Sequence, residues 1–267
     1  NQPDLIIPTL LLNLTEQTLL PHQVALSMRR EDEARQAAST LSQKDYKHPL
    51  ILVSNTNINK RIAETFANQW EAINQQKPEL VLINTGDKMQ DDLKASLGID
   101  HSLQRINELK RQFKETLKTE FRNRRDIDMI YLVANPTDSK LLKPFIDVNI
   151  SPFSSIIPIF ASSLSHSIND DLSDNRDLTN LTFTEIPWLL TSDQQNKSLA
   201  SVSRKLWPQR SDSLQRIFAM GYDSLFLVNK VPNMKQSSYI KHYGQTGILS
   251  LGDDNILTRS LIWGRYE

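Results

Sequence analysis

The stretch PLILVSNTNINKRIAETFANQW, residues 49–70, begins with a short apolar run and continues with apolar residues that recur every three or four positions. The run PLILVS is apolar throughout, which is typical of a strand that is covered on both faces of a parallel sheet. In the segment that follows, one helical face carries Ile62, Phe66, Trp70 and Ile73. The stretch therefore predicts one βα unit.

The same alternation continues on both sides of that unit. Strands are predicted for LII (5–7), QVALS (23–27), PLILVS (49–54), ELVLINT (79–85), DMIYLVAN (128–135) and IIPIFAS (156–162). Helices are predicted for residues 31–43, 59–73 and 102–122. Because short apolar strands alternate with longer amphipathic helices, the sequence predicts an α/β fold with parallel sheets.

The pattern changes after about residue 165. A polar loop is followed by LTNLTFTEIPWLL (178–190), which predicts a strand that ends at a proline, and by a predicted buried helix at 213–229. Residues 247–267 predict a hairpin that turns between Gly252 and Asn255. The chain thus combines parallel βα units with an antiparallel end.

Composition excludes several classes of protein. The chain has 267 residues, enough for one large or two ordinary domains, and its 31 Lys and Arg balance 31 Asp and Glu. Zero net charge gives no overall reason to bind nucleic acid. Without cysteine there is no thiolate nucleophile, iron–sulfur cluster or cysteine zinc site. The apolar run LIIPTLLLNL (5–14) is about half a bilayer span, so we expect no membrane segment in this stretch.

Motifs for a cofactor or a metal are missing from the sequence. It contains no GxGxxG, GxxxxGK[ST], GxSxG or HExxH, and its five histidines never lie three or four residues apart. We therefore predict no cofactor and no metal. Ser162, Ser163 and His166 could be drawn as a nucleophile and its base, but a Ser-rich loop after a strand is the interpretation that we favour.

Short polar residues follow three of the predicted strands. In open parallel sheets ligands bind at the carboxyl ends of the strands, so these residues are candidates for lining a cleft. They are Ser54, Asn55, Thr56, Asn135, Pro136, Ser162 and Ser163. The alternative is that they cap the helices that follow.

Basic residues recur along the predicted helix at 102–122. Their spacing of 3, 4, 4 and 3 residues aligns them on one exposed stripe, if the helix continues to its last member. They are Arg111, Lys114, Lys118, Arg122 and Arg125. The stripe is either a solvated face with weak ion pairs or a docking stripe for an acidic partner surface or peptidoglycan carboxylates.

Six ordered blocks resemble a known family. They are EDEARQAASTL, PLILVSNTNINKRIAETFANQW, DIDMIYLVANPTDSKLLKPFI, IPIFASSLSHS, LTFTEIPWLL and RIFAMGYDSLFLVN. Together they resemble the C-terminal domain of the LpoA/YraM lipoproteins, the LppC family of Gram-negative bacteria. The resemblance spans about residues 24–267 and implies a type I periplasmic-binding-protein-like fold, in which two Rossmann-like lobes with parallel sheets surround a cleft.

The chain of such a fold crosses between its lobes more than once. Plausible crossovers fall at residues 28–31 and 186–188. We therefore expect one discontinuous lobe of residues 1–27 and 187–267, and a second lobe of residues 28–186. Because the sequence starts at Asn1 without the order of a signal peptide, we also expect a mature fragment or an excised domain.

The resemblance also implies a function. It implies a non-catalytic regulator that binds and activates a bifunctional class A penicillin-binding protein, in a lipid-anchored parent protein at the periplasmic face of the outer membrane. Peptidoglycan is a further candidate partner, and nucleic acid is not expected. Two alternatives stay open: a solute-binding or sensing domain that closes on a small molecule or wall fragment, and an enzyme that uses the cleft. The strand ends offer no obvious Arg and Asp pair for an amino acid ligand, which disfavours the solute-binding alternative.

Overall fold

A computed structural model describes residues 7–14, 18–84, 86–113, 118–168 and 172–267. The strands are β1 (Thr9–Leu11), β2 (Gln23–Leu26), β3 (Pro49–Ser54), β4 (Glu79–Ile83), β5 (Met129–Val133), β6 (Ile159–Ala161), β7 (Thr182–Glu185), β8 (His242–Gly244), β9 (Gly247–Leu251), β10 (Ile256–Ser260) and β11 (Ile262–Arg265). The helices are α1 (Arg30–Ser42), α2 (Asn57–Asn74), α3 (Met89–Ser96), α4 (Ile99–Gln112), α5 (Pro136–Asn149), α6 (Lys197–Leu206) and α7 (Asp212–Gln236). The predicted α/β class is confirmed. Most of the predicted strand at 5–7 lies outside the described residues.

The larger sheet has six strands in the order β11-β7-β6-β5-β3-β4. The pairs β3–β4, β3–β5, β5–β6 and β6–β7 are parallel. Every residue of β3 and of β5 is buried. The Phe66 ring of α2 stacks on Tyr131 of β5, with ring centroids 4.0 Å apart, and Trp70 is fully buried one helical turn further along. The predicted βα unit at 49–70 is therefore present: β3 lies inside the sheet between β5 and β4, and α2 packs against it.

The smaller sheet has five strands in the order β1-β2-β10-β9-β8. Its strands β1, β2 and β10 pair in parallel, and the pairs β10–β9 and β9–β8 are antiparallel. Helix α7 packs Leu227 and Met234 onto this sheet, against Leu249 and Leu257. The predicted hairpin is present between β9 and β10, where Asn255 takes a left-handed φ of 59°.

The end of the chain leaves the smaller sheet. Strand β10 ends at Ser260 and β11 begins at Ile262, yet β11 lies beside β7 in the larger sheet. After it, the Tyr266 amide donates to the Leu181 carbonyl at 3.1 Å. The predicted single hairpin over 247–267 is therefore corrected: its second strand is divided at Leu261 between two sheets.

Contacts divide the chain into two compact units. The first contains residues 1–36 and 184–263, and the second contains residues 37–183 and 264–267. We expected 1–27 with 187–267, and 28–186. The expected division into lobes stays a prediction. Its boundaries differ from those of the compact units, since residues 28–36 and 184–186 lie in the first unit and residues 264–267, the last two residues of β11 and the two that follow, lie in the second.

Helix α4 is shorter than its sequence pattern predicts. It ends at Gln112, and the backbone of Phe113 is extended, with φ −100° and ψ 132°. Residues 118–122 are not helical. Leu109 and Phe113 are 44% and 55% exposed at this end of the helix, so the apolar stripe lacks the burial that would extend it. The prediction of one helix over 102–122 is therefore wrong at Phe113 and at residues 118–122.

We predict that Leu52→Ala will destabilise the protein by about 2 to 5 kcal/mol, since Leu52 is fully buried at the centre of β3 and its loss leaves a cavity. Ile156→Ala is the matched control, because Ile156 is 93% exposed and its truncation should change stability by less than about 0.5 kcal/mol. Urea unfolding of both variants measures the difference. Equal losses would contradict the assignment of β3 to the core.

Candidate functional site

The carboxyl edge of the larger sheet brings the three predicted strand ends together. Strand β5 lies between β3 and β6, so Ser54, Asn135 and Ser162 follow neighbouring strands. The Ser162 amide donates to the Leu132 carbonyl at 3.2 Å, which holds the end of β6 against β5. The candidate cleft residues therefore share one edge of one sheet within the second unit, and their contact with a ligand stays a prediction.

Several of these residues start the helices that follow. The Thr56 hydroxyl accepts from the Asn59 amide at 3.2 Å at the N-terminus of α2. The Asn135 side chain accepts from the Asp138 amide at 2.8 Å at the N-terminus of α5, and Pro136 is in the first turn of that helix. These side chains satisfy amides that have no partner inside the helix. The capping alternative thus applies to Thr56 and Asn135.

Asn55 is exposed, and its amide group donates to the Asn84 side chain at 2.8 Å. This bond joins the ends of the neighbouring strands β3 and β4. Asn55 therefore has a structural partner while it remains open to solvent.

The serines at this edge are buried. Ser54 and Ser162 are 1% and 2% exposed, and neither hydroxyl has a hydrogen-bond partner within the described ranges. Ser163 is also buried, at the start of a short 3₁₀ turn. The His166 ring stacks on Phe183, with ring centroids 4.6 Å apart. The Ser162 hydroxyl and the His166 ring are thus not joined as a nucleophile and base.

The described part of the chain contains neither a cluster of metal ligands nor a membrane-spanning helix. No three His, Asp or Glu residues in it cluster closely enough to hold a metal ion. Among the same residues, none of the helices combines the length and apolar character needed to span a bilayer.

The predicted basic stripe is not one helical face, and this prediction is corrected. Arg111 lies in the last turn of α4, whereas Lys118, Arg122 and Arg125 lie in the irregular segment that follows it. Lys114 lies outside the described residues. Because α4 ends at Gln112, the 3- and 4-residue spacing no longer aligns these side chains.

Two residues of the predicted stripe line a surface pocket together with a lysine that the sequence pattern did not identify. Lys110, Lys118 and Arg122 line a surface pocket of about 690 Å³ in the second unit. The other lining residues are Thr119, Glu120, Ser151 and Phe153. Residues from three separate segments form this pocket, so no local sequence pattern could have identified it.

Hydrogen bonds connect the segments that line this pocket. The Arg122 amide donates to the Ser102 hydroxyl at 2.9 Å, which returns the chain to the start of α4. The buried Asn123 side chain accepts from the Ser151 amide at 3.0 Å and from the Ser154 hydroxyl at 3.1 Å. These bonds join the segment after α4 to the loop after α5.

The first unit contains buried charges that the sequence did not identify as a cluster. The Thr184 hydroxyl donates to the Glu33 carboxylate at 2.5 Å, and Arg216 pairs with the fully buried Glu185. Burial lowers the pKa of the Arg259 guanidinium, while the carboxylates of Glu33 and Glu185 oppose that shift. Buried charges of both signs therefore neutralise one another inside this unit.

Two compact α/β units, one with a parallel sheet whose carboxyl edge carries short polar side chains, define the periplasmic-binding-protein class of fold. A structure from Chromobacterium violaceum described as a "putative branched-chain amino acid ABC transporter" has a TM-score of 0.69 at 21% identity, covering 97% of this chain and 73% of its own. The predicted fold class is confirmed.

The family follows from a second comparison. The model of the family described as "LppC putative lipoprotein" matches residues 1–267, and the chain belongs to this family. The C-domain of LpoA (YraM) from Haemophilus influenzae, described as a regulator of PBP1A, has a TM-score of 0.71 at 20% identity, covering 98% of this chain and 72% of its own. The resemblance found in the sequence is confirmed.

Relatives in the genus Vibrio share more of the sequence. The penicillin-binding protein activator LpoA of Vibrio antiquarius is 33% identical over 258 residues, which are 96% of this chain. The protein of the same name in Vibrio cholerae is 30% identical over 98% of the chain. The chain spans 42% of the length of these relatives.

We predict that Asn135→Ala will destabilise the second unit by about 1 kcal/mol, because it removes the cap of α5. Asn55→Ala is the control at the same edge, since Asn55 caps no helix and should change stability by less than about 0.5 kcal/mol. Urea unfolding monitored by circular dichroism compares the two variants. If Asn135→Ala is as stable as the wild type, the assignment of the Asn135 side chain as the cap of α5 is wrong.

Proposed function

We propose that this chain is a domain through which an LppC lipoprotein binds and activates a bifunctional class A penicillin-binding protein and so supports peptidoglycan synthesis. The observation that carries the proposal is the family match over residues 1–267, together with relatives at 30% to 33% identity that are named penicillin-binding protein activators. The likeness extends along nearly the whole chain, so both units belong to the shared domain.

Activation by binding needs no catalytic group in this chain. A regulator raises the activity of an enzyme when it binds the active conformation more tightly than the inactive one. A tenfold shift between those conformations needs a difference of about 1.4 kcal/mol in binding free energy. A modest protein interface supplies such a difference.

The side-chain contacts at the carboxyl edge of the larger sheet agree with a non-catalytic role. Thr56 and Asn135 cap helices there, and the Ser162 hydroxyl makes no hydrogen bond to His166 within the described residues. Activated serine nucleophiles are normally within hydrogen-bond reach of their base. The proposed role of the chain is therefore regulation by contact.

The proposed location is the periplasmic face of the outer membrane. A lipoprotein family and a peptidoglycan synthase as partner both support it, because the parent protein would need to reach enzymes that build the wall.

A second candidate function is the binding or sensing of a small uncharged molecule. It is favoured by the likeness to an ABC transporter protein and by the buried hydroxyls of Ser54 and Ser162, which have no partner among the described residues. A ligand hydroxyl or amide could satisfy such groups at a sheet edge where ligands bind. Thermal-shift measurements with sugars, amino acids and muropeptides separate this function from activation.

We predict that the purified chain binds a class A penicillin-binding protein of the same organism and increases its rate of glycan polymerisation from lipid II. Surface plasmon resonance measures binding, and a fluorescent lipid II assay measures the rate. A monofunctional transglycosylase without a transpeptidase domain is the control enzyme. Absence of both binding and stimulation by the folded chain would refute the proposal.

We also predict that the chain alone does not hydrolyse peptidoglycan, peptides or esters above a buffer blank. Release of muropeptides from sacculi and cleavage of nitrophenyl esters provide the measurements. Activity that is present in the wild type and lost in Ser162→Ala or His166→Ala would establish catalysis and contradict a purely regulatory role.

A further inference from the structure

We propose that the surface pocket lined by Lys110, Lys118, Arg122 and Phe153 binds an acidic peptide segment of a protein partner. The inference goes beyond the proposed function, because it assigns a ligand class to a site whose binding can be measured without the synthase. The ligand is a segment with two or more carboxylates beside an apolar side chain.

The charge of the pocket selects an anionic ligand. Among the described residues, its lining contains three cations and one carboxylate, that of Glu120. Lys110, Lys118 and Arg122 are exposed and form no ion pair within the described ranges. An Arg side chain can hold a carboxylate through two parallel N–H bonds, and the lysines add point charges beside it. The positive charge is thus available to a partner.

The apolar part of the pocket selects a peptide. Phe153 is 77% exposed although it lies next to cations. An aromatic ring on the surface costs free energy unless a partner covers it, and aromatic residues are common anchors at interfaces. An acidic peptide supplies both groups: a carboxylate that pairs with the cations, and an aliphatic or aromatic side chain that packs on Phe153.

The size of the pocket agrees with this ligand. Its volume of about 690 Å³ is within the range of pockets that hold organic ligands, and it exceeds the space that one inorganic ion occupies. Nucleic acid is disfavoured, because it would need a longer track of cations than the three in this lining.

Hydrogen bonds join the segments that line the pocket. The Asn123 side chain is 5% exposed and bonds the Ser151 amide and the Ser154 hydroxyl. The Arg122 amide bonds the Ser102 hydroxyl. These bonds hold the backbone at Arg122 and join the next residue to the loop that carries Phe153, which reduces the conformational entropy lost on binding.

The test uses a short fluorescent peptide in which glutamates flank one leucine. Fluorescence anisotropy with the full chain should show binding that weakens as salt is raised. The same peptide with glutamine in place of every glutamate should not bind. Equal binding of the two peptides would overturn the proposal, because charge would then not be the selecting property.

The protein variants locate the site. Lys118→Glu with Arg122→Glu should leave folding intact, since both side chains are exposed, and should weaken peptide binding roughly tenfold or more at low salt. Phe153→Ala should weaken binding without changing its salt dependence. Arg204→Glu with Lys205→Glu, on the exposed face of α6 in the first unit, is the charge-matched control. Equal losses in the two charge-reversed variants would overturn the assignment to this pocket.

Folding controls and a competitor complete the test. Circular dichroism and the melting temperature check that each variant is folded, and Lys110→Ala gives a milder change if a double variant is unstable. A soluble wall peptide is the competitor. If it binds this pocket and the acidic peptide does not, the site belongs to peptidoglycan and the proposal is wrong. Failure of peptide binding leaves synthase activation untouched, so the two proposals fail separately.

Discussion

Strands β3 and β5 are buried along their whole length, and the larger sheet is built around this burial. A strand in this position must be apolar at successive residues and must have a layer of side chains on each face. On one of these faces, α2 supplies Phe66 against Tyr131. Once β3 and β5 pair in parallel, their carboxyl ends and those of β4 and β6 fall on one edge. The candidate cleft depends on that arrangement.

At this edge a single side chain can have two roles. Thr56 and Asn135 begin helices, and short polar residues that cap helices are also the residues that contact ligands in many open parallel sheets. Composition at strand ends therefore identifies where a ligand could bind, but it does not separate binding from capping. The buried hydroxyls of Ser54 and Ser162 differ from the caps, because they have no hydrogen-bond partner within the described residues.

Contacts between segments that are distant in sequence determine which charged side chains are buried and which lie together on the surface. Glu33 lies in the first turn of α1, where its charge suits the helix dipole, but it is also buried against Thr184. Lys110 and Phe153 are far apart in sequence and line one pocket, because Arg122 returns to Ser102 and Asn123 joins the loop after α5. Zero net charge thus conceals a cluster of buried charges of both signs in one unit and a local excess of cations in the other.

The sequence by itself determined the βα units, the central strands and the α/β class. It could do so because an apolar run or a 3.6-residue repeat is a local property. Burial agrees with it for 49–54, for 129–133 and for Ile62, Phe66 and Trp70 of α2, whereas Ile73 at the end of that face is exposed. Only the tertiary structure decided where α4 ends, which sheet receives β11, and which cations meet in a pocket. An apolar stripe continues a helix only where another surface covers it, and neither that surface nor the neighbour of a strand is encoded within the segment itself.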